Sequence, residues 1–134
     1  TWYRWPHADH TPLDVRDVDA VNELLADYQP DVTFLAAGFS CPAHAEAFPD
    51  ECRQVTVDGA ATVAAAVARH GGTLVLFTSD EVFGEGLSSR REDDEPTPAG
   101  ELGRCQADAE AVVRAALPDR HLIVRTGWVF GAEE

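Results

Sequence analysis

The sequence predicts a parallel α/β sheet flanked by helices, and three observations predict it. Residues 32–37 (VTFLAA), 74–77 (LVLF) and His121–Thr126 (HLIVRT) are short, largely apolar runs, the pattern of strands buried on both faces. Between them lie longer stretches whose apolar residues recur at helical spacing. The joints are short and marked by Pro30-Asp31, Gly38 and Gly71-Gly72, so strand and helix alternate as a parallel sheet requires.

The elements follow in order. Residues 1–5 are an aromatic, β-prone stretch stopped by Pro6, and 13–15 read as a brief strand or strand end. Asp17 caps a helix over Val18–Tyr28 with an apolar stripe of Val18, Val21, Leu25 and Tyr28. Pro30-Asp31 breaks that helix, and the strand 32–37 ends at Gly38. Residues 39–50, with Pro42 and Pro49, read as irregular around a short helical turn. A long helix over 51–70 buries Ala60, Val63, Ala64 and Val67 and ends at Gly71-Gly72. The strand 74–77 then reaches a polar tip, Thr78-Ser79-Asp80, followed by Val82-Phe83 and a glycine-bounded turn. Residues 87–98 form a charged loop. Thr97 and Pro98 start a helix as cap and first turn; it runs to about Ala116 with Leu102, Cys105, Ala109, Val112 and Val113 inward. The strand His121–Thr126 and the segment Trp128-Val129-Phe130-Gly131 close the series. In an open parallel sheet, function gathers at the carboxyl edge of the strands. Thr78, Ser79 and Asp80 are therefore the first candidates for chemistry; the alternative is that they only satisfy turn backbone.

A chain of 134 residues is enough for one domain with its own core. Its net charge is −14, from 24 acidic against 10 basic residues. A field of that sign repels phosphate backbones and anionic bilayers, which argues against nucleic acid and membrane partners. No apolar run approaches the ~20 residues of a membrane span, and the opening TWYRWPHADH has no secretory core. Cys41, Cys52 and Cys105 form no Cys-x-x-Cys pair, and the histidines show no metal-ligand spacing. Neither a disulfide framework nor a metal site is expected, and reduced thiols suit a cytoplasmic protein.

One ordered set of motifs goes further. Leu13-Asp14-Val15-Arg16-Asp17 precedes Pro30-Asp31-Val32, which leads to Ala36-Ala37-Gly38. Thr78-Ser79-Asp80-Glu81-Val82-Phe83 and Arg91-Glu92-Asp93-Asp94 with Pro98 follow, and Arg125-Thr126-Gly127-Trp128-Val129-Phe130-Gly131 comes last. This order and spacing resembles the extended short-chain dehydrogenase/reductase superfamily in its dTDP-4-dehydrorhamnose reductase branch. That branch also contains the regulatory beta subunit of methionine adenosyltransferase. The resemblance implies a single, partial Rossmann-like NAD(P)-binding domain over residues 1–134, with NADP or NAD as cofactor and a nucleotide sugar as ligand; homo- and hetero-oligomers both stay open. It implies that Asp14 and Val15 border the cofactor's adenine. Ala36, Ala37 and Gly38 would form the small-residue strand end over which the ribose and diphosphate pass, with Thr78 beside them. Arg4 would meet a 2′-phosphate. Ser79 takes the place of the family's catalytic Thr or Ser, which hydrogen-bonds the substrate oxygen.

The departures from the family are as informative. Its Tyr-x-x-x-Lys pair falls on Leu102 and Gln106, and the chain has no lysine with which a shifted alignment could restore it. Leucine donates no proton, and glutamine carries no charge to depress a neighbour's pKa. The expectation is a catalytically degenerate homologue. Two alternatives stand beside it: an active reductase with Asp80 as a substitute acid, and a non-catalytic regulatory subunit. Thr56 replaces an asparagine and Glu81 an aromatic of the family pattern. The sequence is also expected to lack the family's first strand with its glycine-rich turn, and the C-terminal substrate part.

Overall fold

Asp17 opens the first helix as its chemistry dictates: the carboxylate accepts the Ala20 N–H at 3.0 Å and satisfies one orphan donor of helix α1, Val18–Tyr28. Gln29, in the left-handed region at φ 44°, closes it. The computed structural model describes residues 11–84, 89–127 and 129. Arg4, the 1–5 stretch, and Trp128, Phe130 and Gly131 of the last motif lie outside the described residues. Val21 and Leu25 are buried, but Val18 and Tyr28 are exposed, so the stripe that packs α1 onto the rest is narrower than the spacing suggests. Residues 13–15 are not a strand; the chain turns at Val15 and Arg16.

Strand β1 is Val32–Leu35, so Ala36 and Ala37 already lie beyond the strand. The stretch expected to be irregular is mostly helical. Pro42 and Pro49 each sit in the first turn of a helix, α2 (Pro42–Ala47) and α3 (Pro49–Arg53), where a missing N–H costs nothing. A π-helical turn, Gln54–Asp58, joins α3 to α4, Gly59–His70. Strand β2 is Thr73–Ser79, and a single 3₁₀ turn, Asp80–Phe83, follows it directly.

Helix α5 is Glu101–Ala116, and strand β3 is His121–Thr126. Thr97 does not cap α5. Its Oγ1 donates to Phe83 O at 2.9 Å and its N–H to Val82 O at 2.8 Å, tying the charged loop to the 3₁₀ turn. Gly100 occupies the cap position without a side chain, and the Glu46 carboxylate of α2 accepts the Glu101 N–H at 2.7 Å. Glu46→Ala is therefore expected to cost about 1 kcal/mol, the usual worth of an N-cap, read as a lower urea midpoint with unchanged slope.

The three strands are parallel in the order β1-β2-β3, with Val32 opposite Thr73 and Leu74 opposite His121. One sheet face, carrying Leu35, Leu74, Leu76 and Ile123, packs against α1, α4 and α5 through Val21, Leu25, Ala64, Val67, Ala109 and Val113. The other face carries Phe34 and Phe77, whose rings stack at 6.3 Å, and Leu122, all exposed. Among the described residues no helix is long and apolar enough to cross a membrane.

Candidate functional site

Chain geometry at the carboxyl end of β2 sends neighbouring side chains different ways. Thr78 points to the helix-packed side, where its hydroxyl donates to Glu110 Oε1 at 2.8 Å. The Ser79 hydroxyl meets α5 one turn earlier: Ser79 Oγ lies 2.7 Å and Ser79 N 3.2 Å from Gln106 Oε1. A backbone N–H can only donate, so the atom it meets is the amide oxygen, and the orientation of the Gln106 side chain follows. Gln106 is 7% exposed. Asp80, next along, is exposed and opens the 3₁₀ turn.

Beneath Ser79 lies a charged cluster. Glu110 is fully buried, and Arg125 grips it with both limbs of its guanidinium, Nε to Oε1 at 2.8 Å and Nη2 to Oε2 at 2.6 Å. Arg114 adds a bond to Oε2 at 3.0 Å. The Arg125 guanidinium also lies over the Phe83 ring at 4.7 Å, so one arginine binds the strand end, the helix and the 3₁₀ turn together. Burial opposes the Glu110 charge, but the bonds from Arg125 and Thr78 outweigh it and hold the carboxyl below the usual carboxylate range.

Leu102 packs in a separate apolar cluster with Ala45, Cys52, Val57 and Cys105. Burial pushes the Cys105 thiol up to about 12, so it stays protonated and is no nucleophile. Among the described residues no cluster of side chains is suited to a metal ion.

Five of the proposed cofactor residues gather elsewhere, along a groove of about 880 Å³ between α1, β1 and the loop after it, whereas Thr78, bonded to Glu110, is not among them. Asp14, Val15, Ala36, Ala37 and Gly38 all line this groove; Thr78, Ser79 and Asp80 do not. Asp14 is bonded to Arg16, Oδ2 to Nη2 at 2.6 Å, and that bond holds its carboxyl below the ordinary range. The Val15 side chain is buried in the main core. Ala36, Ala37 and Gly38 are exposed, and Thr56 of the π turn accepts the Phe39 N–H at 3.3 Å, fixing the course of the chain just past them.

Sequence reasoning placed the strand tip correctly in the chain but missed its partners. An acid on the inward side of α5 beside Ala109, and an arginine within an otherwise apolar strand, were the available signals for the Glu110–Arg125 pair, since each is a buried charge that needs a counterion.

The family model described as RmlD substrate binding domain matches residues 5–134. The chain belongs to the RmlD substrate-binding domain family. It is thus a member of the RmlD-like branch of the extended short-chain dehydrogenases/reductases. Its RmlD-like relatives include the dTDP-4-dehydrorhamnose reductase of Streptomyces griseus, 33% identical over 121 residues, which are 90% of this chain and 40% of that protein. Methionine adenosyltransferase 2 subunit beta of Pongo abelii is 32% identical over 101 residues, 75% of this chain and 30% of that one. Among solved structures, dTDP-4-dehydrorhamnose reductase of Bacillus anthracis in complex with NADP superposes with a TM-score of 0.84 at 27% identity, covering 91% of this chain and 44% of that chain. The chain spans about 40% of the length of the curated reductases it matches.

Three exposed small residues leave the backbone open along this groove, and Asp14, both of whose oxygens accept from Arg16, lines it as well.

Proposed function

We propose that this domain binds a nicotinamide dinucleotide and a nucleotide sugar without reducing the sugar, as a pseudoenzyme of its family. The observation that carries the reading is Gln106. It stands at the family's lysine position and is engaged with Ser79 through a neutral amide oxygen. The tyrosine position is Leu102, packed among apolar side chains. Neither residue can pass a proton to a carbonyl oxygen.

NADP, when bound, supplies the hydride of the family's chemistry. In this chain Ala36, Ala37 and Gly38 would let it lie close to the backbone, Asp14 would accept from a ribose hydroxyl, and Ser79 would face the sugar. Arg4 is proposed for a 2′-phosphate. The reading with Asp80 as a substitute acid needs an enclosed carboxylic acid, and Asp80 is exposed.

The similarity to a methionine adenosyltransferase subunit at nearly the identity shared with the reductases favours a second reading, that of a regulatory subunit in a hetero-oligomer.

The test uses the full-length protein with NADPH and dTDP-4-dehydrorhamnose. The expected result is thermal stabilisation by both ligands and no consumption of NADPH at 340 nm. Steady NADPH oxidation dependent on the sugar would refute the pseudoenzyme reading. Absence of stabilisation by either ligand would refute binding.

A further inference from the structure

The hydrogen bonds around Ser79 fix which of its atoms a ligand can use. Gln106 Oε1 is settled as the acceptor, because it accepts the Ser79 backbone N–H at 3.2 Å. The Ser79 hydroxyl proton lies on the same oxygen, at 2.7 Å. Ser79 Oγ is therefore left with lone pairs and no proton to give. The Gln106 amide nitrogen keeps two N–H donors, and no described residue accepts from it. It is not sealed either: the only buried polar side-chain atom without a partner among the described residues is His70 Nε2. A side chain more than nine-tenths buried thus presents an unused donor at the strand tip, next to an oxygen that can only accept.

We infer that this pair selects the hydroxyl form of a nucleotide sugar over the keto form. A hydroxyl donates its proton to Ser79 Oγ and accepts an N–H from Gln106, so both protein groups are satisfied at once. A ketone has no proton for Ser79. It accepts from Gln106, but its lone pairs then face those of Ser79 Oγ. For Ser79 to donate to the ketone, its proton must leave Gln106 Oε1 and break the 2.7 Å bond. A serine or threonine beside a proton-donating tyrosine is set up to hold a carbonyl; Ser79 beside Gln106 is set up to hold an alcohol. No bond is made or broken, and no cofactor takes part. The inference rests on the nucleotide-sugar reading above and adds the oxidation state of the sugar.

The test is calorimetric titration of the full-length protein, saturated with NADP, with dTDP-rhamnose and separately with dTDP-4-dehydrorhamnose. The hydroxyl sugar is expected to bind at least about tenfold more tightly, the worth of one hydrogen bond with its partner otherwise left unpaired. Equal affinities, or tighter binding of the keto sugar, would overturn the selection while leaving the nucleotide-sugar reading intact. Failure of both sugars to bind would overturn the two together. Gln106→Glu gives the second arm. A carboxylate keeps the acceptor for Ser79 but replaces the amide donors with an oxygen, so both sugars lose an N–H and bind more weakly, while the preference for the hydroxyl form, which can donate where the ketone cannot, should stay at about tenfold or more. A preference that disappears, or sugar affinities that do not fall, in a cooperatively melting Q106E variant would also overturn the assignment.

Discussion

Replacing Glu110 by alanine is expected to destabilise the fold by about 3–5 kcal/mol, the range found when one partner of a buried ion pair is removed. The size follows from what is left behind. Arg125 is nearly buried, its two strong bonds go to Glu110, and its side chain also makes a 3.4 Å bond to Glu92 O and lies over the Phe83 ring. Without the carboxylate a desolvated guanidinium keeps only the weaker, unbonded attraction of Asp94, and the Thr78 hydroxyl loses its acceptor. Arg114, more exposed, recovers its hydration and adds little. The pair itself is a different matter: exchanging both Glu110 and Arg125 for methionine removes the two charges together, and such replacements are often neutral. The double variant should therefore be more stable than E110A alone. If urea unfolding of the full-length protein showed the two effects simply adding, the coupling described for this cluster would be wrong.

The same cluster gives a pH dependence with a definite sign. The Glu110 carboxyl is held below its ordinary value, so the folded state binds fewer protons than the unfolded one in acid. Its contribution is fully present above the unfolded value of about 4.3 and is lost as pH falls through the lower folded value. Wild type and E110A should differ most near neutrality and converge in acid, measured as urea midpoints between pH 7 and pH 3. A gap that stays constant across that range would mean that Glu110 acts through packing alone.

These interactions also mark where the sequence stopped being readable. Local chemistry was legible: Asp17 caps α1, and the apolar runs became the three parallel strands. What failed depended on partners distant along the chain. The start of α5 was read from Thr97-Pro98, yet its first amide is held by Glu46, 55 residues earlier. The stretch around Pro42 and Pro49 reads as irregular with one short helical turn, although proline in a first turn starts a helix as readily as it ends one. A continuous apolar run cannot say which face a helix covers, so the exposure of Phe34 (68%) was invisible. At the strand tip, Ser79 was identified by its place, but its hydrogen-bond polarity is set by Gln106, 27 residues on, which sequence alone treated only as a missing lysine.

Gly103→Ala is expected to destabilise the protein by about 1–3 kcal/mol, the usual cost of overpacking, although the intrinsic preference points the other way. In an open helix the exchange would stabilise by roughly 0.5–1 kcal/mol, because alanine is the better helix former. Gly103 is not in the open: a Cβ there would run into the Glu81 carbonyl oxygen and come within 2.9 Å of Pro98 Cβ. The obstacle is mainly backbone of the 3₁₀ turn, which Thr97 and the Phe83–Arg125 stack already hold, so it cannot swing aside as a long side chain would. Helix α5 must move instead, and it carries Gln106 one turn further along. The variant should therefore lose stability and also bind dTDP-rhamnose more weakly, because the Ser79–Gln106 contact lengthens. A G103A protein that melts higher than wild type would show that α5 and the turn are less closely seated than described. Lower stability with unchanged sugar affinity would uncouple that seating from the site.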